Sequence, residues 1–207
     1  MINKINNPAI ENLLLNLRNP GTNSKNFRES LEKIGEYLGY EISLGLETME
    51  KYILACLEEV AKHRTLKQSP VLITILRAGL PLHRGLQNVF PDSESGFIGA
   101  MRDEGTLKSK IYYSAIPDIK DKETIIVDTM LATGGSLIDC AELLKQRNPR
   151  SISIVSAMAS KEGIDRMIRY DSNIKVTIAA IDPMLNDKGY IVPGLGDAGD
   201  RIYGKKS

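Results

Sequence analysis

The spacing of hydrophobic residues changes character along the chain. After the turn residues Asn19-Pro20-Gly21-Thr22-Asn23-Ser24, Phe27, Leu31, Ile34, Leu38 and Ile42 recur at steps of three and four. That period predicts an amphipathic helix over 24–44, with capping residues just before it. Met49, Ile53, Cys56, Leu57 and Val60 continue a similar spacing and predict a second helix over 47–64. The pattern then switches. Pro70-Val71-Leu72-Ile73-Thr74-Ile75-Leu76 is a continuous apolar run, as expected of a strand covered on both faces. Beyond it the chain predicts a helix over 79–89, strands over 96–101 and 124–128, and a helix over 136–147. A strand over 151–158, a helix over 162–169 and a strand over 176–181 follow. Strands alternating with helices imply right-handed βαβ units. The expected fold class is therefore α/β, a mainly parallel twisted sheet flanked by helices and spanning about 70–181. A single domain is expected over 1–207, with 1–65 as a helical N-terminal extension and 182–207 as a terminal addition. No internal repeat or low-complexity linker interrupts it.

Composition narrows the function classes. Lys and Arg number 27 against 26 Asp and Glu, a net charge of +1 over 207 residues. No field of one sign is available to drive strong non-specific binding to nucleic acid or membrane. Cys56 and Cys140 stand far apart, without metal-ligand or disulfide-framework spacing, and are expected to be reduced and buried. His63 and His83 fall on predicted helical stretches and are expected to be structural. The first residues, MINKINNPAIENLLLNLRN, lack an uninterrupted apolar leader core, and no run approaches the ~18 apolar residues of a membrane span. A cytoplasmic location is expected.

One segment carries clear chemistry. In Ile125-Ile126-Val127-Asp128-Thr129-Met130-Leu131-Ala132-Thr133-Gly134-Gly135-Ser136, an apolar strand ends in a carboxylate, a small glycine-rich loop follows, and a helix begins. Such a loop turns several backbone N–H groups toward one point, and the helix N-terminus adds its positive dipole end. Thr133 and Ser136 bring hydroxyl donors, and Gly134 and Gly135 leave room for a phosphate. Asp128 would sit at a strand's carboxyl end, where open α/β sheets place ligands. No Gly-Lys-Ser/Thr is present, so the loop is not of the ATPase type. The bland alternative is a plain strand-to-helix turn capped by Asp128.

Arg77 and Arg102 each follow a predicted strand, a place better suited to gripping phosphate oxygens than to core packing. Ion-paired surface arginines are the alternative. Residues 103–110 are polar and without hydrophobic period, a candidate lid. Near the end, Gly194, Gly196 and Gly199 match G-x-G-x-x-G, but no following helix, strand and acid fit in the residues that remain, so a dinucleotide site is excluded. The segment reads instead as a rigid irregular loop of backbone donors and acceptors. Such an edge suits an imide and disfavours cytosine.

The run from Asp128 to Ser136 resembles the ribose-phosphate loop of the uracil phosphoribosyltransferase family, with Thr129 where Pro usually follows the Asp. Ile75-Leu76-Arg77-Ala78-Gly79 matches the family's motif for the arginine that holds pyrophosphate. Arg102 aligns with its second such arginine, behind Met101 rather than the usual Tyr. Residues 103–110 resemble the loop that closes over pyrophosphate, but Lys108, Ser109, Lys110 and Ile111 stand where prolines are usual. Ile181 to Asp200 follows the family's terminal pattern without a gap. Leu17-Arg18, Thr22, Phe27-Arg28 and Tyr40-Glu41 follow its N-terminal pattern. Residues 48–69 are the least similar, and Arg84 stands where an acid is common.

The resemblance implies a type I phosphoribosyltransferase-like fold with a C-terminal hood. It also implies transfer of phosphoribosyl from phosphoribosyl pyrophosphate (PRPP) to uracil, with Mg²⁺, giving UMP and pyrophosphate. Arg77, Arg102 and Mg²⁺ would neutralise the leaving group. Asp128 would hold the ribose hydroxyls, and Thr129 to Ser136 the 5′-phosphate. The main chain of Ile191 and the Gly196-Asp197-Ala198 turn would hold uracil, with Asp197 also facing the donor and metal-bound waters, so that the protein itself contributes no direct metal ligand. The family forms homodimers or homotetramers, and GTP controls some of its members. Rival expectations on the same fold are an RNA-binding pyrimidine regulator, a degraded structural homologue, or an enzyme for a purine base.

Overall fold

The apolar run after Pro70 becomes the centre of a sheet because none of its side chains can face water. In the computed structural model, which describes residues 1–102 and 109–205, the chain runs β1 (Ile2–Lys4), α1 (Pro8–Arg18), α2 (Ser24–Ser43), β2 (Thr48–Leu54), β3 (Val60–Leu66), β4 (Val71–Leu76), α3 (Leu80–Val89), β5 (Ser95–Arg102), β6 (Ser109–Ala115), β7 (Glu123–Leu131), α4 (Gly135–Lys145), β8 (Ser151–Ser160), α5 (Lys161–Tyr170), β9 (Lys175–Asp182), β10 (Met184–Leu185), β11 (Ile191–Val192) and α6 (Ala198–Tyr203). Seven strands form one sheet in the order β1-β9-β8-β7-β4-β5-β6. Every neighbouring pair is parallel except β5 and β6. The mainly parallel α/β sheet is thus as expected, with β1 joining it from the N-terminus.

Side chains alternate between two cores. On one face Leu72, Ile125, Val127 and Val155 pack with α1, α2 and α3. On the other, Ile73, Ile126, Ile154 and Ile178 pack with α4 and α5. Helices α2 and α3 approach closely enough to need glycine. A Cβ on Gly85 would stand 1.9 Å from the Glu32 carbonyl oxygen, and one on Gly35 2.3 Å from that of Leu82. Strand order reverses at β4: β5 lies on one side of it and β7 on the other. The carboxyl ends of β4 and β7 therefore flank the crevice that open sheets offer to ligands.

The helix expected over 47–64 is instead the antiparallel hairpin β2–β3, paired from Thr48↔Leu66 to Leu54↔Val60. Its apolar residues matched a helical period by chance. Ile53, Leu54, Leu57 and Val60 are all exposed, so no core selects a helix. Cross-strand pairing selects the hairpin instead, with Lys62 Nζ 2.6 Å from Glu50. His63 accordingly lies on a strand, and Cys56 is exposed at the hairpin turn rather than buried; only Cys140 is buried. Of the expected lid, 103–108 lie outside the described residues, while Ser109 and Lys110 open β6. Nor is the terminal segment irregular throughout: it forms the β10–β11 hairpin and the short helix α6.

Candidate active site

Arg77 stands on the link between β4 and α3, immediately after a cis Leu76–Arg77 peptide. Its side chain is exposed, with the guanidinium carbon 5.7 Å from the centroid of the Tyr203 ring on α6. Behind it, Gly79 is buried. A Cβ there would stand 2.8 Å from the Ile75 carbonyl oxygen and 2.9 Å from that of Val127, so the link lies flat on β7. Thr129 Oγ1 donates to the Ala78 carbonyl oxygen at 2.6 Å. Arg102 closes β5, beside β4; its side chain lies outside the described residues.

The glycine-rich loop is built as its residues suggest. Gly134 takes φ +78° at the N-cap of α4, a left-handed conformation that glycine adopts without Cβ strain. Helix α4 therefore opens at Gly135, and its first amides, among them those of Gly135 and Ser136, have no intrahelical acceptor. The loop is held from beneath by α5. Ser160 Oγ donates to the Ala132 carbonyl at 2.7 Å and accepts from the Gly163 amide at 2.8 Å. Arg166 reaches the Thr133 carbonyl at 3.1 Å. Gly163 leaves no room for a side chain, since its Cβ would stand 2.2 Å from the Ala132 oxygen.

Asp128 is half-buried on β7, in register with Ser156. It faces α4: burial first, then the charges of Asp128 and Asp139, push the Cys140 thiol strongly up. The run 129–136, expected to face a ligand, is not uniformly exposed. Thr129 and Leu131 are fully buried, Leu131 within the α4–α5 core. Asp128, Met130, Thr133, Gly135 and Ser136 keep partial exposure.

The hood is anchored over the same sheet edge. Arg18 at the end of α1 grips Asp182 at the end of β9 through two bonds of 2.8 and 2.7 Å, and the Gly194 carbonyl at 2.9 Å. The Gly194 amide returns a bond to Asp182 at 2.8 Å. Asp182 is 5% exposed. Burial pushes its carboxyl up, but the Arg18 and Gly194 hydrogen bonds outweigh it and hold the pKa below its ordinary 3.8. Gly194 at φ +61° and Gly196 at φ +79° shape the turn, and a Cβ on Gly194 would stand 2.0 Å from the Ile191 oxygen. Asp197 caps α6: one carboxylate oxygen accepts from the Asp200 amide at 2.9 Å, the other from the Tyr190 hydroxyl at 3.2 Å. Arg201 binds the carbonyls of Leu17, Leu195 and Asn19 and lies over the Phe27 ring, while Arg28 binds the Ile202 carbonyl at 2.8 Å. Ile191, Leu195, Ala198 and Ile202 share a core with Ala132, and Met130 and Ala78 pack against it.

The loop after β7, Arg77, and the segment holding Ile191, Gly196, Asp197 and Ala198 thus border one edge of the sheet. Sequence reasoning assigned no role to Tyr203, Ser160 or Arg166, and placed Arg18 and Arg28 only within a motif.

A family model described as uracil phosphoribosyltransferase matches residues 4–205. The chain belongs to the uracil phosphoribosyltransferase family. Relatives of that name include one from Clostridioides difficile, 39% identical with 97% of each chain covered, and one from Ureaplasma parvum, 41% identical with 98% of each covered. A solved structure of a protein from Aquifex aeolicus is 35% identical, covers 99% of this chain and 98% of its own, and superposes with TM-score 0.93. A hypoxanthine-guanine phosphoribosyltransferase from Bacillus anthracis shares the fold at 15% identity and TM-score 0.52, over 76% of this chain and 80% of that one.

Proposed function

We propose that the chain joins uracil to the ribose of PRPP, forming UMP and releasing pyrophosphate, at the crevice between β4, β7 and the hood. Support comes above all from one contact, the Arg77 guanidinium over Tyr203. It links the arm suited to pyrophosphate with the helix that closes the hood. A bond from uracil N1 to ribose C1 forms as the C1–oxygen bond to pyrophosphate breaks, and N1 gives up its proton. Positive charge develops on the ribose, and the leaving group carries negative charge. Arg77 and Arg102 are assigned to that leaving group, where a planar fork matches phosphate oxygens. Asp128 is assigned to the ribose hydroxyls. The 5′-phosphate is assigned to the α4 N-terminus with Thr133, Gly134, Gly135 and Ser136, which fixes the distance to the base. The main chain of Ile191 and of the Gly196-Asp197-Ala198 turn is assigned to the uracil imide.

Among the described residues no three His, Cys, Asp or Glu side chains gather as a metal-ligand group. Mg²⁺ is assigned to the donor's phosphates and waters, with the Asp197 carboxylate assigned to face those waters. Bound there, Mg²⁺ would supply charge neutralisation of the pyrophosphate. No helix among the described residues is long and apolar enough to cross a membrane. A cytoplasmic location is part of the proposal. Assembly into a homodimer or homotetramer is part of this reading, supported by the exposed Ile53, Leu54, Leu57 and Val60 of the hairpin.

The test is product analysis. With PRPP, Mg²⁺ and uracil, UMP and pyrophosphate should form in equal amounts. Folded protein that forms neither would contradict the assignment.

A further inference from the structure

We propose that Thr129 is a positioning residue for the pyrophosphate end of the site: its hydroxyl latches the Arg77-bearing link to β7. This rests on the function proposed above. Thr129 is fully buried, so it acts on a ligand only through a neighbour. The neighbour is Ala78, the residue next to Arg77, whose carbonyl oxygen accepts from Thr129 Oγ1 at 2.6 Å across 51 residues of sequence.

The latch sits where the sheet can no longer do this work. The β4–β7 ladder runs from Val71↔Thr124 to Thr74↔Val127 and stops there. Past Thr74, β4 runs on to Leu76 paired with β5 alone, and main-chain pairing with β7 has given out before Arg77 is reached. Gly79 marks how tightly the link must settle, since its Cβ would stand 2.9 Å from the Val127 oxygen. The Thr129 hydroxyl continues the tie beyond the end of the ladder. Arg77 is a long, exposed arm whose aim is set at its base. A base that shifts along β7 carries the guanidinium off the leaving group and off Tyr203. The 5′-phosphate end does not depend on this bond, because that loop is held separately by Ser160 and Arg166.

Thr129→Val keeps the shape and removes the donor; Thr129→Ser keeps the donor and removes the methyl. Calorimetric titrations of wild type and both variants, with Mg²⁺, use pyrophosphate and ribose 5-phosphate as separate probes, alongside uracil-dependent turnover. Loss of one neutral hydrogen bond corresponds to roughly a three- to tenfold weakening. Thr129→Val should weaken pyrophosphate binding by that factor and raise KM for PRPP similarly, with ribose 5-phosphate affinity unchanged. Thr129→Ser should match wild type. The latch is overturned if Thr129→Val binds pyrophosphate as wild type does, if it loses both probes equally, or if Thr129→Ser fails like Thr129→Val. Should Thr129→Val not fold, Thr129→Ser decides: wild-type pyrophosphate affinity supports the latch, and a loss overturns it. Wild-type protein that binds neither probe and turns over no uracil overturns the functional reading, and the latch with it. An active wild type with an indifferent Thr129→Val overturns the latch alone.

Discussion

Arg18→Met removes the fork that joins α1, β9 and the hood, and its consequences follow from the contacts. Arg18 makes two bonds to the Asp182 carboxylate and one to the Gly194 carbonyl. The Arg18 side chain is 29% exposed and that of Asp182 is 6% exposed. Methionine preserves the apolar stem and leaves the carboxylate buried with the Gly194 amide still on it. Breaking one partner of a buried pair costs about 3–5 kcal/mol, and an exposed pair contributes about 0–1 kcal/mol. Partial exposure of Arg18 places this case between them, at about 2–3 kcal/mol near neutral pH. In a protein of this size that lowers the melting temperature by about 5–10 °C.

The pH dependence gives a sharper test. In the wild type Asp182 is held below its ordinary 3.8, so its contribution is present above that value and lost as pH falls through the lower folded one. In the variant the Arg18 bonds no longer oppose burial, the Gly194 amide remains, and the carboxyl moves up from its wild-type position. Protonation on acidification then relieves the variant, and its deficit should shrink between neutral pH and about pH 4. Urea denaturation of both proteins across that range measures it. A neutral-pH deficit under about 1 kcal/mol, or one that does not change with pH, would refute the clamp.

Arg77→Ala should lower kcat/KM by at least about a hundredfold, with melting unchanged because the side chain is exposed; steady-state kinetics and a thermal scan check both halves. Gly194→Ala places a Cβ 2.0 Å from the Ile191 oxygen at φ +61°. It should raise KM for uracil more than KM for PRPP and cost about 1–3 kcal/mol of stability by denaturation. Native protein should react with one equivalent of a thiol reagent, at exposed Cys56. Cys140, buried with its thiol pushed up by burial and by the Asp128 and Asp139 charges, should react only on unfolding.

The sheet was legible because its strands are buried on both faces. Runs such as 71–76 and 124–128 have no polar side to present, so length and apolarity alone define them. The helix α2 was legible because one stripe of it is core. The hairpin β2–β3 was not, since Ile53, Leu54, Leu57 and Val60 are exposed and their spacing carries no structural information. Of the site, the glycine-rich loop and Arg77 could be read because the chemistry demands particular residues at particular spacings. The parts that hold them in place could not. Ser160 and Arg166 act on a loop about thirty residues away. Asp182 meets Arg18 across 164 residues. Thr129 departs from the family's proline, and nothing local tells that its hydroxyl finds Ala78. Those bonds exist only after the chain has folded.

The most direct measurement is pyrophosphate release from PRPP and Mg²⁺ with each free base offered singly to the purified protein. Release is expected with uracil and not with cytosine, hypoxanthine, guanine or adenine. Release with a purine and none with uracil would contradict the assignment of the hood as an imide reader.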